Sequence, residues 1–151
     1  MEIIEFFSSD NQAHWLEEIQ KSNWGAGQFL YSLLRDGKLR DMVGQTAIVP
    51  MLIEEATQKL VSFCTLAPLD DIQPTDLTPW IGFVYTFPEF RGHHYAGKLL
   101  AYAEGLAAQR GEKAVYISTN HFGLYEKYGY EFYTMLKNME GEDSRVYRKA
   151  L

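Results

Sequence analysis

Cysteine is almost absent from the sequence, and a chain with one cysteine, Cys64, forms no internal disulfide. The apolar run around it, Leu60–Leu66, is typical of a β-strand, so we expect a buried, unreactive thiol rather than a nucleophile. No apolar run reaches the ~18 residues of a membrane span, and the first residues are acidic where a secretory signal would be basic. These absences predict a soluble, cytoplasmic protein that does not bind a membrane.

Positive charge is also scarce, because 14 Lys and Arg stand against 20 Asp and Glu and give a net charge of −6. A nucleic-acid-binding protein needs a basic face to neutralise phosphates, so nucleic acid is not expected as a partner. The four histidines have no partners at metal-ligand spacing, and we expect no metal. Repeats and long linkers are lacking too, which predicts a single domain over residues 1–151.

The apolar residues that are present alternate between strand and helix spacing along the chain. Strands are predicted at 2–7, 45–53, 59–66, 114–118, 130–136 and 144–149, with a further strand just before Pro88. Helices are predicted at about 10–21, 28–35, 96–110 and 122–128. Hairpins at both ends and a parallel crossover in the middle indicate an α+β fold. We expect a mixed, mostly antiparallel twisted sheet of six to seven strands with about four helices on its faces.

The most informative segment, Val84–Lys98, runs from a strand through Pro88 and Arg91-Gly92 into an amphipathic helix. Free backbone N–H groups at the start of a helix form a site for a phosphate. The glycine patterns of the P-loop and of the dinucleotide-binding turn are both missing. The segment therefore predicts an anion site of another type.

Arg91-Gly92-His93-His94-Tyr95-Ala96 resembles the acetyl-CoA pyrophosphate loop of the GNAT N-acetyltransferase superfamily, usually Arg/Gln-x-x-Gly-x-Gly/Ala. A second segment, Leu124–Gly129 (Leu-Tyr-Glu-Lys-Tyr-Gly), is similar to the closing element of the same family. The two segments occur in the family's order, separated by one helix and one strand. One departure is His94, which stands where the loop usually has glycine and where the backbone must approach a phosphate closely or take a positive φ.

The resemblance implies a splayed parallel strand pair at the centre of the sheet, with the pantetheine arm of acetyl-CoA lying in the gap. Main-chain groups of Val84, Tyr85 and Thr86 would bind the arm, and a backbone N–H there would polarise the thioester carbonyl. Amides of the loop would bind the pyrophosphate, and the residues implied are Arg91, Gly92, His93, His94, Tyr95, Ala96 and Gly97.

Tyr125 matches the family tyrosine that protonates the leaving thiolate. Asn120 matches a position that hydrogen-bonds the pantetheine, and a helix N-cap is its alternative role. The sequence leaves the general base open among Glu54, Glu55, Asp70, Asp71, Tyr85, His93, His94, His121 and a water chain. In the family the first two helices line the acceptor pocket, for which the candidates are Trp24, Phe29 and Tyr31, with Asp70 or Asp71 to attract a cation.

The resulting hypothesis is an N-acetyltransferase that moves acetyl from acetyl-CoA to a primary amine of a small molecule or peptide. Since no nucleophile–base pair is evident, direct attack in a ternary complex is expected. Two alternatives stay open: a noncatalytic acyl-CoA-binding regulatory domain of the same fold, and an interaction module without coenzyme. The family often dimerises, so a homodimer is a possible assembly.

Overall fold

The computed structural model describes all residues from Met1 to Leu151. Its strands are β1 (Glu2–Glu5), β2 (Pro50–Glu54), β3 (Lys59–Ala67), β4 (Trp80–Thr86), β5 (Ala114–Ser118), β6 (Glu131–Lys137) and β7 (Asp143–Ala150). They form one sheet in the order β1-β2-β3-β4-β5-β7-β6, and only β4 and β5 run parallel. The predicted mixed, mostly antiparallel sheet is confirmed.

The helices are α1 (Gln12–Gln20), α2 (Gly25–Arg35), α3 (Leu39–Val43) and α4 (Tyr95–Gln109). Three short 3₁₀ turns lie at Phe6–Ser8, Pro88–Phe90 and Glu126–Tyr128. No helix is both long enough and apolar enough to cross a membrane. The helices and their loops surround the sheet on both faces.

The helix bounds correct the sequence prediction in three places. The helix predicted at 122–128 is only the 3₁₀ turn at its end, because the Glu126 carboxylate accepts the Gly123 N–H and bends the preceding loop. Helix α2 begins three residues before the predicted position, despite two glycines in its first turn. Helix α3 was not predicted, since five residues are too few to show a helical repeat.

Apolar side chains form a large core on each face of the sheet. Helices α1, α2 and α3 pack on one face around Trp15, Leu30 and Phe63. Helix α4 packs on the other face through Leu99 and Ala103 against a core that contains Cys64. Burial raises the pKa of the Cys64 thiol to about 12, so this cysteine is protonated and unreactive at neutral pH.

The parallel strands β4 and β5 are paired at only one position, Trp80 with Tyr116. Beyond this pair the two strands separate, which leaves a cleft in the middle of the sheet. Next to the cleft, the register between β3 and β4 shifts, so that two residues of β4, Phe83 and Val84, lie opposite one residue of β3. Phe83 has a φ of 52°, a left-handed conformation that is costly for an aromatic residue.

Candidate active site

The gap between β4 and β5 forms a cleft with a volume of about 610 Å³. One side is lined by β4 from Ile81 to Thr86 and the other by Ile117–Asn120 at the end of β5. The N–H of Phe87 donates to Val61 O on the β3 side. Because successive strand residues direct their N–H groups to opposite edges, Val84 and Thr86 present theirs to the cleft.

At one end of the cleft, the loop between β4 and α4 exposes five consecutive backbone N–H groups, those of residues 92–96. None of these groups donates to another residue of the chain. They lie at the first turn of α4, a helix of 15 residues whose dipole favours an anion at this end. This loop, residues 91–97, therefore has the free donors that a phosphate group requires and is named the anion loop.

Two residues of this loop have left-handed backbone conformations: Gly92, with a φ of 88°, and His94, with a φ of 58°. His94 thus adopts the conformation that glycine supplies in the usual loop pattern, and histidine is among the residues that tolerate it. Its ring lies beside Tyr128, with Nδ1 3.3 Å from the Tyr128 hydroxyl. Although His94 replaces the usual glycine, its backbone keeps the left-handed conformation, and its side chain lies against Tyr128.

Arg91 connects this loop to β4. Its Nε donates to Thr86 O at 2.9 Å, and its guanidinium lies 5.4 Å from the centre of the Tyr85 ring. The carbonyl of Thr86 is therefore already used within the chain, whereas its N–H is free for a ligand in the cleft. Tyr85 is itself fixed by a stacked Trp24 ring at 5.4 Å and by the Asn23 N–H, which donates to its hydroxyl.

Tyr125 lies where the cleft meets the anion loop, and its side chain is buried. Burial raises the pKa of the Tyr125 phenol, and the nearby Cys64 and Asp70 add to the shift. The phenol therefore stays protonated at neutral pH. Its hydroxyl has no hydrogen-bond partner within the chain, so it is available to a group in the cleft.

Asp70 also lines the cleft and lies against the backbone of β4. A Cβ on Gly82 would lie 2.0 Å from Asp70 Oδ1, so only glycine at this position leaves room for the carboxylate. Asp70 is 8% exposed, and burial together with the charge of Asp71 raises its pKa to about 7. This carboxyl group is poised to exchange a proton near neutral pH.

A second cavity, of about 590 Å³, opens next to the cleft and shares Asp70, Asp71 and Trp24 with it. Trp24 and Phe29 line it as the sequence predicted, but Tyr31 does not: its ring packs against the α-helical core and under Arg35. Tyr31 is on the other side of α2, because two positions along a helix place side chains about 200° apart. Residues that the sequence did not indicate complete the lining: Gly25, Ala26, Met42, Phe83, Ser118, Asn138, Met139 and Glu140.

Asn120 is on the loop after β5 and lines the cleft. Its side-chain oxygen accepts the Arg145 N–H at 3.3 Å, which leaves its amide NH₂ unpaired. No helix starts at Asn120, so the alternative role of helix N-cap is wrong. Among the other candidates for the base, Glu54 and Glu55 are on the β2–β3 turn outside the cleft, whereas His121 lies at its rim.

Three solved structures that share this fold are acetyltransferases. An aminoglycoside 6'-N-acetyltransferase complexed with coenzyme A is 15% identical, with a TM-score of 0.69, and the match covers 99% of this chain and 97% of that one. The aminoglycoside 6'-N-acetyltransferase from Enterococcus faecium is 16% identical, with a TM-score of 0.69 and the same coverage. A GNAT family acetyltransferase from Elizabethkingia anophelis with acetyl-CoA bound is 14% identical, with a TM-score of 0.67 and again 99% and 97% coverage.

These identities are low, so the structural likeness shows the fold alone. No curated protein sequence matches the chain at a significant level. The sequence profile of the acetyltransferase (GNAT) family, however, matches residues 3–130, which include β4, the anion loop, α4 and Tyr125. The chain therefore belongs to the GNAT acetyltransferase family.

Proposed function

We propose that the protein is an N-acetyltransferase that transfers acetyl from acetyl-CoA directly to a primary amine of a small molecule or peptide. The observation that supports this most strongly is that the cleft holding Asp70 adjoins the cavity at the anion loop, and that the buried Tyr125 phenol lines both. The solved relatives with coenzyme A or acetyl-CoA bound are consistent with it.

In this proposal the pyrophosphate of acetyl-CoA binds the five free amides between Gly92 and Ala96. Each amide donates to a phosphate oxygen, and the α4 dipole adds a favourable field. The pantetheine arm lies along β4, where the N–H groups of Val84 and Thr86 and the side-chain amide of Asn120 donate to its carbonyl oxygens. A backbone N–H next to the Phe83 bulge polarises the thioester carbonyl, which stabilises the oxyanion that forms during attack.

The acceptor enters as an ammonium, since an alkylamine has a pKa of about 10.4. Ionised Asp70 takes one ammonium proton, and the free amine lone pair attacks the thioester carbonyl carbon. When the tetrahedral intermediate collapses, the C–S bond breaks and the sulfur takes the proton of the Tyr125 hydroxyl. The nitrogen carries a positive charge after attack and loses its second proton to water, which passes a proton on to the Tyr125 phenolate. Asp70 releases its own proton to solvent. The products are an amide, free CoA thiol and one proton.

Direct transfer is preferred over a covalent acetyl-enzyme because no serine in the cleft is hydrogen-bonded to a histidine base, and the Ser118 and Ser144 hydroxyls bond to each other instead. The only thiol, Cys64, is fully buried in the α4 core, where its raised pKa keeps it protonated. The Tyr125 phenol serves as an acid rather than a nucleophile for the same reason, since its raised pKa disfavours the phenolate.

The proposal is tested by measuring free CoA thiol released from acetyl-CoA by the full chain in the presence of a panel of primary amines. We expect amine-dependent release, with mass spectrometry showing the acetylated amine in equal amount. If acetyl-CoA binds but no amine in a broad panel supports release, the protein is instead a regulatory acyl-CoA-binding domain. If acetyl-CoA does not bind, the protein is neither an acetyltransferase nor an acyl-CoA-binding regulatory domain.

A further inference from the structure

Large apolar side chains line the second cavity, which in the proposed function is the acceptor cavity, and they stay partly exposed. Phe29 and Met139 are 46% and 53% exposed, and Trp24, Met42 and Phe83 complete the apolar wall. The residues come from α2, α3, β4 and the β6–β7 turn, so four separate elements converge on one apolar surface. Exposed apolar surface gathered in a concave site indicates a ligand with an apolar part.

The charged residues of the same cavity are all acidic. Asp70, Asp71 and Glu140 line it, and neither Lys nor Arg does. Asp71 Oδ1 is buried and has no hydrogen-bond partner, whereas the buried Asp70 carboxyl group interacts with the backbone and side chain of Asp71 but with no Lys, Arg or His side chain. Unpaired buried acceptors are costly unless a donor reaches them. A ligand ammonium supplies both the donors and the charge.

The cavity is also preformed. The N–H of Met139 donates to Asp71 O at 2.8 Å, which ties the β6–β7 turn to the loop that carries the carboxylates. The Trp24 ring is held parallel to Tyr85. Because the apolar wall and the acidic end are fixed relative to each other, the cavity selects ligands by the distance between a cation and an apolar body.

From these features we infer that the acceptor is an amine with an apolar, preferably aromatic, body. Its ammonium binds at Asp70 and Asp71, and its body packs against Trp24 and Phe29. This inference rests on the proposed function and narrows it. A polyhydroxylated polycation such as an aminoglycoside fits less well, because Ser118 and Asn138 are the only uncharged polar side chains that the cavity offers to its many hydroxyl groups. An acceptor with its own carboxylate is repelled by the three acidic side chains.

The test compares four ligands: phenethylamine, phenylalanine, spermidine and kanamycin. Binding of each is measured by calorimetry on the free chain and on the chain with CoA, and thiol release from acetyl-CoA is measured in parallel. We expect phenethylamine to bind about tenfold or more tightly than the other three, and to give the highest kcat/KM. Equal or tighter binding of kanamycin, spermidine or phenylalanine, or no binding of phenethylamine, would overturn the inference.

A pair of variants separates the cavity from general surface effects. Phe29 and Phe132 are exposed to nearly the same extent, 46% and 48%, but Phe132 is on β6, outside the cavity. Phe29→Ala should weaken phenethylamine binding about three- to tenfold through the lost ring contact, while Phe132→Ala should leave it unchanged. Equal effects of the two variants would contradict the assigned binding surface.

Failure of this inference and failure of the proposed function give different results. If kanamycin or spermidine is the best substrate, the chain is an acetyltransferase but its acceptor class is assigned wrongly. If phenethylamine binds as expected and no thiol is released, the ligand class stands and the catalytic role fails. Binding is therefore measured independently of turnover.

Discussion

Tyr125→Phe should lower kcat about 100-fold and leave the Kd for acetyl-CoA within about twofold of the wild-type value. The substitution removes only the hydroxyl, which is buried at the junction of the cleft and the anion loop and makes no hydrogen bond within the chain. A thiol with a pKa of about 8.5 is a poor leaving group unless it gains a proton as the C–S bond breaks. Pre-steady-state and steady-state thiol release, with calorimetry for affinity, provides the measurement.

Tyr133→Phe is the matched control, because Tyr133 is 51% exposed on β6 and does not line the cleft. Its kcat should equal that of the wild type. Tyr125→Phe with an unchanged kcat, in an assay where chemistry is rate-limiting, would remove this residue from the mechanism. A parallel loss of acetyl-CoA affinity would instead indicate a packing role.

Asp70→Asn should lower kcat/KM about 100- to 1,000-fold and abolish the rise of kcat/KM that we expect for the wild type near pH 7. We expect this rise because burial raises the pKa of Asp70 to about 7 and, in the proposed mechanism, only the ionised carboxylate accepts the ammonium proton. An amide of the same shape fills the space beside Gly82 but does not take up a proton. Profiles of kcat/KM from pH 5.5 to 9 provide the comparison, with the exposed Asp76→Asn, on the same loop, as control.

Asp70→Asn should lower activity but raise the free energy of unfolding at alkaline pH. The pKa of Asp70 is higher in the folded state than in the unfolded chain, so between about pH 4 and pH 7 the folded state retains a proton that the unfolded chain loses. Stability therefore falls as pH rises through this window. We expect Asp70→Asn to raise the free energy of unfolding at pH 8 by about 1–3 kcal/mol relative to wild type and much less at pH 4. A pH-independent difference would refute the assigned burial effect.

The apolar periodicity of the sequence predicted the bounds of those strands that are set by the residues immediately around them. The strand at 114–118 has the predicted bounds, because it is a short apolar run between a glycine-terminated helix and a polar loop. The first strand is shorter than the predicted 2–7, because the Glu5 carboxylate accepts the N–H groups of Phe7 and Ser8 and starts a 3₁₀ turn. That side-chain interaction has no signature in the apolar periodicity.

The sequence predicted the free amides of the loop before α4, but it did not predict which residues from distant segments lie next to each other in the cleft. The anion loop follows from Arg91 to Ala96, and the structure adds that His94 takes the left-handed conformation itself. The contact of Asp70 with Gly82 and the hydrogen bond from Met139 to Asp71 join residues far apart in the chain. No spacing rule relates such pairs, so the sequence left the base open and did not indicate that the β6–β7 turn lines the cavity next to the cleft.

The proposal that the cleft binds acetyl-CoA depends on the conformation of the anion loop. Gly92→Ala forces a residue with a Cβ into a φ of 88°, which disfavours the loop conformation by about 1–2 kcal/mol. Gly105→Ala is its matched control, because a Cβ meets no neighbouring atom within 4 Å at either position and Gly105 is in the helix itself. We expect Gly92→Ala to raise the Kd for acetyl-CoA about five- to thirtyfold, and Gly105→Ala to leave it unchanged.

Calorimetric titration of acetyl-CoA into the purified full chain tests the central claim most directly. The predicted result is one binding site per chain with a Kd in the range of about 1–100 µM, abolished by competing CoA and weakened in Gly92→Ala. The absence of binding at millimolar acetyl-CoA, or binding that Gly92→Ala leaves unchanged, would contradict the assignment of the β4–β5 cleft and its loop as the coenzyme site.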